Sequence, residues 1–221
     1  MESKDRLFNS MAEAVVTGNK EAAETLAKRA LSEKFDPHEV IEKGYIPGIQ
    51  KAGILWEKGE YFLPELISSA ECMKAVMAVL KPALKASQAE HFSRGKVVIG
   101  TIEGDIHDIG KNLVASMLSA NGFDVMDLGA DVKLERFIDK ALEMDADLIC
   151  LSALLTTTML NQRRLIEMLK ERGLRQQFKV LVGGAPVNKR WASDIGADGY
   201  GENALEAVRL AKEIGPKRGL A

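Results

Sequence analysis

The sequence predicts two domains of different class: an N-terminal all-α helical bundle and a C-terminal α/β domain with a doubly wound, parallel, five-stranded sheet. Three observations predict it. Apolar residues recur every three or four positions up to about residue 87, the period of a helix packed on one face. From Lys96 onward, short β-branched runs alternate with helix-length stretches, the pattern of consecutive βα units. One of those runs, Asp147–Ser152 (DLICLS), is almost wholly apolar, as a central parallel strand covered on both faces would be.

In the first half, Leu7, Met11, Ala14 and Val15 mark one helix, which stops at Thr17-Gly18-Asn19. Lys20–Glu33 is the second, with Ala22, Leu26, Ala30 and Leu31 on one face. Asp36-Pro37 is an N-cap followed by proline at the first helical position. It opens a third helix over residues 37–57, which Pro47 should bend by removing a donor and crowding the preceding turn. Lys58-Gly59-Glu60 ends that helix, and Pro64 opens a fourth running to about Ser87, with Pro82 expected to disturb its last turns. Residues 1–87 thus form the bundle, and the small, polar stretch 88–95, containing His91, is the expected linker.

The second domain, residues 96–221, begins with the strand Lys96–Thr101 (KVVIGT), a glycine-containing loop and a helix over Asp108–Ala120 that Asn121-Gly122 stops. Asp124–Leu128 is the next strand and Lys133–Met144 the next helix. After Asp147–Ser152 come a helix at Met159–Arg172, a strand at Phe178–Val182 and the pair Gly183-Gly184. A short helix at Asn188–Ile195, a strand at Gly199-Tyr200 and a last helix over Asn203–Ile214 complete five βα units. In such sheets ligands bind beyond the carboxyl ends of the strands. That rule selects the loops Glu103–Lys111, Ser152–Thr158 and Gly183–Val187.

Composition narrows the function classes. The 221 residues hold 30 basic and 32 acidic side chains, a net charge of −2, with a pI near 6.0, so there is no electrostatic footprint for nucleic acid. No run approaches the ~18 consecutive apolar residues of a membrane span. The opening MESKDRLFNSMAEAV is charged and has no apolar core of a signal peptide, so a cytoplasmic address is expected. Cys72 and Cys150, each within an apolar run, read as buried free thiols. With three histidines (His38, His91, His107) and no C-x-x-C or H-x-x-x-H, a zinc site made by protein alone is not expected. A metal could still enter inside a macrocycle that brings most of its own ligands.

The first loop reads I-E-G-D-I-H-D-I-G-K-N over residues 102–112. A glycine-rich strand-to-helix turn suggests phosphate binding, but the P-loop spacing is wrong, Asn112 replaces the hydroxyl residue, and Glu103, Asp105 and Asp108 would repel phosphate. What the loop offers is His107 with Asp105 two residues before it. A carboxylate that accepts from one imidazole nitrogen fixes the tautomer and raises the basicity of the other nitrogen, making a tuned ligand or base. The plainer reading, a histidine that fills the turn, weakens because three loops converge on the same sheet edge.

The series Asp105-x-His107-x-x-Gly110, Ser152-x-Leu154 and Gly183-Gly184 resembles the cobalamin-binding signature of corrinoid proteins. The segment Phe62-Leu63-Pro64 in the helical half looks like the cap domain of cobalamin-dependent methionine synthase and of methanogen-type methyl carriers. The whole chain is covered by this resemblance, and its layout is most similar to stand-alone corrinoid proteins that shuttle methyl groups between two methyltransferases. The resemblance implies that His107 replaces the dimethylbenzimidazole tail as lower axial ligand of cobalt, base-off and His-on. Asp105 would orient His107, and Ser152 would hydrogen-bond Asp105, making a proton-linked relay that follows changes at cobalt. The released nucleotide tail would enter a slot lined by the Ser152-x-Leu154 and Gly183-Gly184 loops, with Thr156 helping to hold tail or corrin. Gly104, Ile106 and Asp108 would line the lower corrin face. Gly183 and Gly184 would admit the nucleotide close to the backbone, although a packing turn explains two glycines almost as well.

An apolar cap would shield the upper face, with Phe62 as first candidate. Leu66, Ser69 and Cys72 lie further along that helix; Leu66 and Cys72 read better as bundle core. Trp56 fits either place, and Met11, Met73 and Met77 read as core. The implied cycle alternates Co(I) with methyl-Co(III). Its implied partners are a donor-specific methyltransferase, an acceptor methyltransferase with a thiol or tetrahydrofolate/pterin substrate, and a reductive activase. The linker would be the hinge that moves the cap aside. Two other classes are weaker: a cobalamin-dependent mutase subunit, which would need no such cap, and a cobalamin-sensing regulator, which would bring a basic DNA-binding segment. Nothing in the sequence chooses among methanol, methylamines, betaines, aryl methyl ethers and thiols as methyl donor.

Overall fold

The computed structural model describes residues 4–86 and 93–215. They fall into two compact units, one within residues 1–92 and one within 93–221. Of the expected linker 88–95, residues 88–92, with His91, lie outside the described residues, and Ser93–Gly95 belong to the second unit.

In the first unit, α1 (Lys4–Val16), α2 (Lys20–Ser32), α4 (Ile46–Glu57) and α5 (Leu63–Ala86) pack together as a bundle. Met11, Val15, Ala23, Ala27, Leu66, Met73 and Leu80 are its buried interior. Asn19 caps α2 by accepting from the Ala22 amide at 3.0 Å, the arrangement that satisfies an orphan N–H of the first turn.

The single bent helix expected over 37–57 is instead three segments: one turn, α3 (Pro37–Glu39), a π-helical stretch at Val40–Tyr45, and α4. The Ile46 amide donates back five residues to the Ile41 carbonyl. That wide turn lies just before Pro47, whose ring would crowd a regular α-turn and which has no N–H to contribute to one. Tyr45, at the end of the wide turn, is fully buried and donates its hydroxyl to the Ala23 carbonyl at 2.7 Å. Pro82 lies inside α5, which continues to Ala86.

The second unit is a five-stranded, all-parallel sheet of order β2-β1-β3-β4-β5. Its strands are β1 (Lys96–Thr101), β2 (Asp124–Asp127), β3 (Leu148–Ser152), β4 (Lys179–Gly183) and β5 (Gly199–Gly201). This is the flavodoxin-like doubly wound order, with its reversal between β1 and β3. On one face Val98, Ile149, Leu151, Val180 and Val182 pack on α7 (Leu134–Met144), α8 (Leu160–Glu171) and α9 (Lys189–Ile195). The helices α6 (Ile109–Ala120) and α10 (Ala204–Ile214) pack on each other and on the sheet, covering the opposite face. Side chains alternate across a strand, so Val97, Ile99 and Thr101 share that second face with Leu148, Cys150 and Ser152.

Candidate functional site

The site forms where the carboxyl ends of β1 and β3 part, at the switch point of the strand order. Past Thr101 the chain turns through Gly104, whose φ of +84° is a conformation that favours glycine. It then presents Asp105, Ile106 and His107 before α6 begins at Ile109.

Asp105 is fully buried and is the hub of the loop. One carboxylate oxygen, Oδ1, accepts from the His107 amide at 3.1 Å and from His107 Nδ1 at 2.8 Å. The other, Oδ2, accepts from the Thr158 hydroxyl at 2.7 Å and the amides of Leu154 at 2.7 Å and Leu155 at 3.3 Å. Burial pushes the Asp105 pKa up. The hydrogen bonds from Thr158, Leu154 and His107 outweigh burial and hold the carboxyl well below the usual carboxylate range. An ionised Asp105 can only accept, so the His107 proton sits on Nδ1 and the Nε2 lone pair is left to bind. The His107 side chain is 48% exposed, and among the described residues no group pairs with Nε2.

The Ser152 hydrogen bond to Asp105 is a correction: Thr158 occupies that position. Strand alternation turns the Ser152 side chain to the face of Cys150, while Asp105 is reached from the loop beyond the strand end. The run Thr156-Thr157-Thr158 was the only sequence signal for this, and nothing in it singles out the third threonine. Thr156 is exposed and is not a partner of Asp105.

Further residues brace the loop. The Gly104 amide donates to Asp131 Oδ1 at 2.8 Å, and the Asp131 amide donates to the Asp105 carbonyl at 2.8 Å. Asn161 Nδ2 donates to the Glu103 carbonyl at 2.9 Å, and Lys133 pairs with the Glu103 carboxylate. Lys111, the lysine of the failed phosphate-loop match, is buried and bonds both Asp127 carboxylate oxygens, at 2.5 and 2.6 Å. It fastens the first turn of α6 to the end of β2. None of these bracing roles has a short-range sequence signature, because each joins residues far apart in the chain.

The two loops that meet at Asp105 carry exposed apolar side chains. Ile106, Ile109, Leu154, Leu155 and Leu160 are all exposed, Ile109 to 82%. Asp108 is half-buried at the helix start. At Gly110 no other part of the protein lies within 4 Å of where a Cβ would stand, so neither packing nor backbone conformation requires glycine there. Gly184 differs: its φ is +117° and a Cβ would stand 1.7 Å from the Ala153 carbonyl oxygen. A Cβ on Gly183 would stand 3.0 Å from the Gly201 carbonyl oxygen. Close backbone packing against the loop after β3 therefore accounts for Gly184, while Gly183 packs against the end of β5.

The residues assigned to an upper face lie in the first unit. Phe62 is 68% exposed at the start of α5, its amide donating to Glu65 Oε2 at 3.0 Å. Leu66, Ser69 and Cys72 are buried in the bundle, where Ser69 and Cys72 donate to the carbonyls of Val16 and Ala14. Met11 and Met73 are core, and Met77 and Trp56 are half-buried.

Two family models match the chain, both described as a B12 binding domain, one over residues 95–209 and one over residues 7–81. The chain belongs to the B12-binding family of corrinoid proteins. It is 47% identical over 209 residues to a corrinoid protein of Desulfitobacterium hafniense, covering 94% of this chain and 97% of that one. It is also 47% identical over 214 residues to trimethylamine corrinoid protein 1 of Methanosarcina acetivorans, covering 97% and 99%. Among solved structures it resembles the methanol:cobalamin methyltransferase complex of Methanosarcina barkeri. That match has a TM-score of 0.84 at 32% identity, over 96% of this chain and 80% of that one.

The cofactor of this corrinoid protein is cobalamin or a related corrinoid, and the residues present fit it. A macrocycle supplies four ligands of its own, so one imidazole with a fixed tautomer and an exposed Nε2 is a sufficient donor set. The open room at Gly110 and the exposed apolar side chains beside it suit a broad, mostly apolar ring. Among the described residues no three His, Cys, Asp or Glu side chains come together as a metal cluster, and no helix is long and apolar enough to cross a membrane.

Proposed function

We propose that this chain is a methyl carrier in a corrinoid-dependent methyltransferase system. It holds the corrinoid base-off and His-on, through Nε2 of His107, and serves to pass a methyl group from a donor-specific methyltransferase to a second methyltransferase with a thiol or pterin acceptor. When bound, the corrinoid supplies the carrier chemistry at its cobalt. The chain's own residues do the rest. Asp105 keeps the proton on Nδ1 of His107, and Thr158 and the Leu154 and Leu155 amides keep Asp105 ionised. Ile106 and Ile109 exclude water from the lower face, with Gly104, Asp108 and Gly110 leaving room beside them. Ser152, Leu154, Thr156 and the Gly183-Gly184 turn line the slot for the displaced nucleotide tail. Catalytic standing falls to His107 and Asp105, with Thr158 in the place expected for Ser152.

The helical bundle is the cap domain of such a carrier, and its exposed Phe62 is the side chain it offers to the cofactor. The system is cytoplasmic, which suits two buried free thiols, and a reductive activase restores cofactor oxidised by accident. The single observation that carries this reading is the buried Asp105 paired with a half-exposed His107. Among its relatives, the trimethylamine corrinoid protein and the methanol:cobalamin methyltransferase complex that includes a matching chain support it.

The test is to load the chain with methylcobalamin and present it to purified methyltransferases of methylamine and methanol systems with a thiol acceptor. Stoichiometric loading followed by acceptor-dependent loss of the methylcobalamin spectrum is the expected result. Failure to load, or a loaded chain that no acceptor methyltransferase demethylates, would overturn it.

A further inference from the structure

We infer that Thr101 is a positioning residue for the axial histidine, acting through the His107 backbone; this rests on the reading that His107 binds cobalt. Thr101 is the last residue of β1 and is fully buried, yet it carries a hydroxyl. Its backbone is already committed to the sheet edge. The amide donates to the Gly129 carbonyl at 2.9 Å, and the carbonyl accepts from the Val132 amide at 3.1 Å. The hydroxyl does something else: it donates to the His107 carbonyl at 2.8 Å. Burial and β-structure at this position would be served as well by valine, which has the same shape without the hydroxyl. The polar atom is explained by His107.

The geometry gives the bond a purpose. Asp105 Oδ1 holds His107 at its amide and at Nδ1. Both contacts come from one atom, so residue 107 can pivot about it. Thr101 supplies a third point of attachment from the opposite end of the residue, and it does so from a strand held in the sheet rather than from the loop. Two anchors on separate elements fix the direction of the Nε2 lone pair, which an axial bond requires. Removing the hydroxyl takes the donor from a part-buried carbonyl and releases that end of the residue.

Three variants, Thr101→Val, Thr101→Ser and Thr101→Ala, test this in the full chain reconstituted with cobalamin. The readouts are the cob(II)alamin electron paramagnetic resonance spectrum, which resolves axial nitrogen coupling, and the dissociation constant for cobalamin. Folding of each variant is checked by thermal denaturation without cofactor. Serine and alanine differ only in the hydroxyl and neither overfills the site, so that pair carries the test if valine prevents folding. Thr101→Ala and Thr101→Val should lower the His-on equilibrium constant about tenfold, while Thr101→Ser stays near the parent. Wild-type His-on signal in folded Thr101→Ala would overturn the inference and leave the cobalt-ligand reading intact. Equal loss in Thr101→Ser and Thr101→Ala would also overturn it, as packing rather than the hydroxyl would then matter. Absence of His-on coupling in the parent protein, unchanged by His107→Ala, would overturn both readings together.

Discussion

Replacing Asp105 by asparagine should loosen the loop and misplace the His107 proton at the same time. Asp105 accepts five hydrogen bonds, two on Oδ1 and three on Oδ2. An amide has one oxygen and one NH2. With the NH2 at the Oδ2 position, the Leu154 and Leu155 amides face a donor. With the NH2 at the Oδ1 position, the His107 amide faces a donor, and Nδ1 must become an acceptor by moving its proton to Nε2. That second arrangement leaves fewer donors unpaired and removes the lone pair that cobalt would need. One buried donor left unpaired costs about 1–3 kcal/mol. The remaining bonds, no longer to a charged acceptor, lose roughly half their strength. A loss of about 3 kcal/mol is expected, partly offset because a neutral group is easier to bury. At roughly 2–4 °C per kcal/mol for a chain of this size, the melting temperature of the cofactor-free protein should fall by about 6–12 °C. Calorimetry follows the transition of the α/β unit. A melting temperature within about 1 °C of the parent would refute the view that the Asp105 carboxylate holds this loop.

The same carboxylate sets an acid limit. Its folded pKa lies below the unfolded value, so its contribution to stability is fully present above about pH 4. That contribution is lost as pH falls through the folded value, and the stability gap between parent and Asp105→Asn, measured by urea denaturation, should therefore narrow between pH 7 and pH 3. Gly184→Ala would place a Cβ 1.7 Å from the Ala153 carbonyl oxygen at a φ of +117°. It should destabilise the α/β unit by at least about 3 kcal/mol in denaturant titration, and a neutral effect would contradict the packing seen there. Burial pushes the Cys72 thiol up to about 11 and the Cys150 thiol up to about 12. Neither should react with a disulfide reagent at pH 8 in the native protein, and both should react in urea.

Much of the fold was legible because it rests on local patterns. The apolar run of β3, the β-branched run of β1 and the glycine stops predicted every strand in order, and the observed strands fall within a residue of those bounds. The third helix was less legible. Pro47 signals a disturbance, but whether the chain bends or widens into a π turn depends on packing that seats Tyr45 against Ala23, and periodicity cannot register that. In the site, Asp105 and His107 were readable because they are two residues apart in one loop. Thr158 was not, since its bond to Asp105 spans 53 positions and three threonines in a row give no preference. Thr101, Asp131 and Asn161 act through backbone atoms of other residues, and a sequence holds no trace of such pairings. The reading of Gly183-Gly184 as room for a nucleotide shows the converse limit. The sequence gives two reasons for glycine, and the distance from Gly184 to Ala153 supplies one of them without any ligand.

The central claim is that an imidazole nitrogen of His107 binds cobalt. It is tested most directly by the electron paramagnetic resonance spectrum of the cob(II)alamin-loaded protein, prepared with natural histidine and with nitrogen-15-labelled histidine. Axial coupling that changes from triplets to doublets on labelling, and disappears in His107→Ala, is the predicted result. Triplets that persist in the labelled protein would mean that the cofactor keeps its own benzimidazole on cobalt, and would contradict the account.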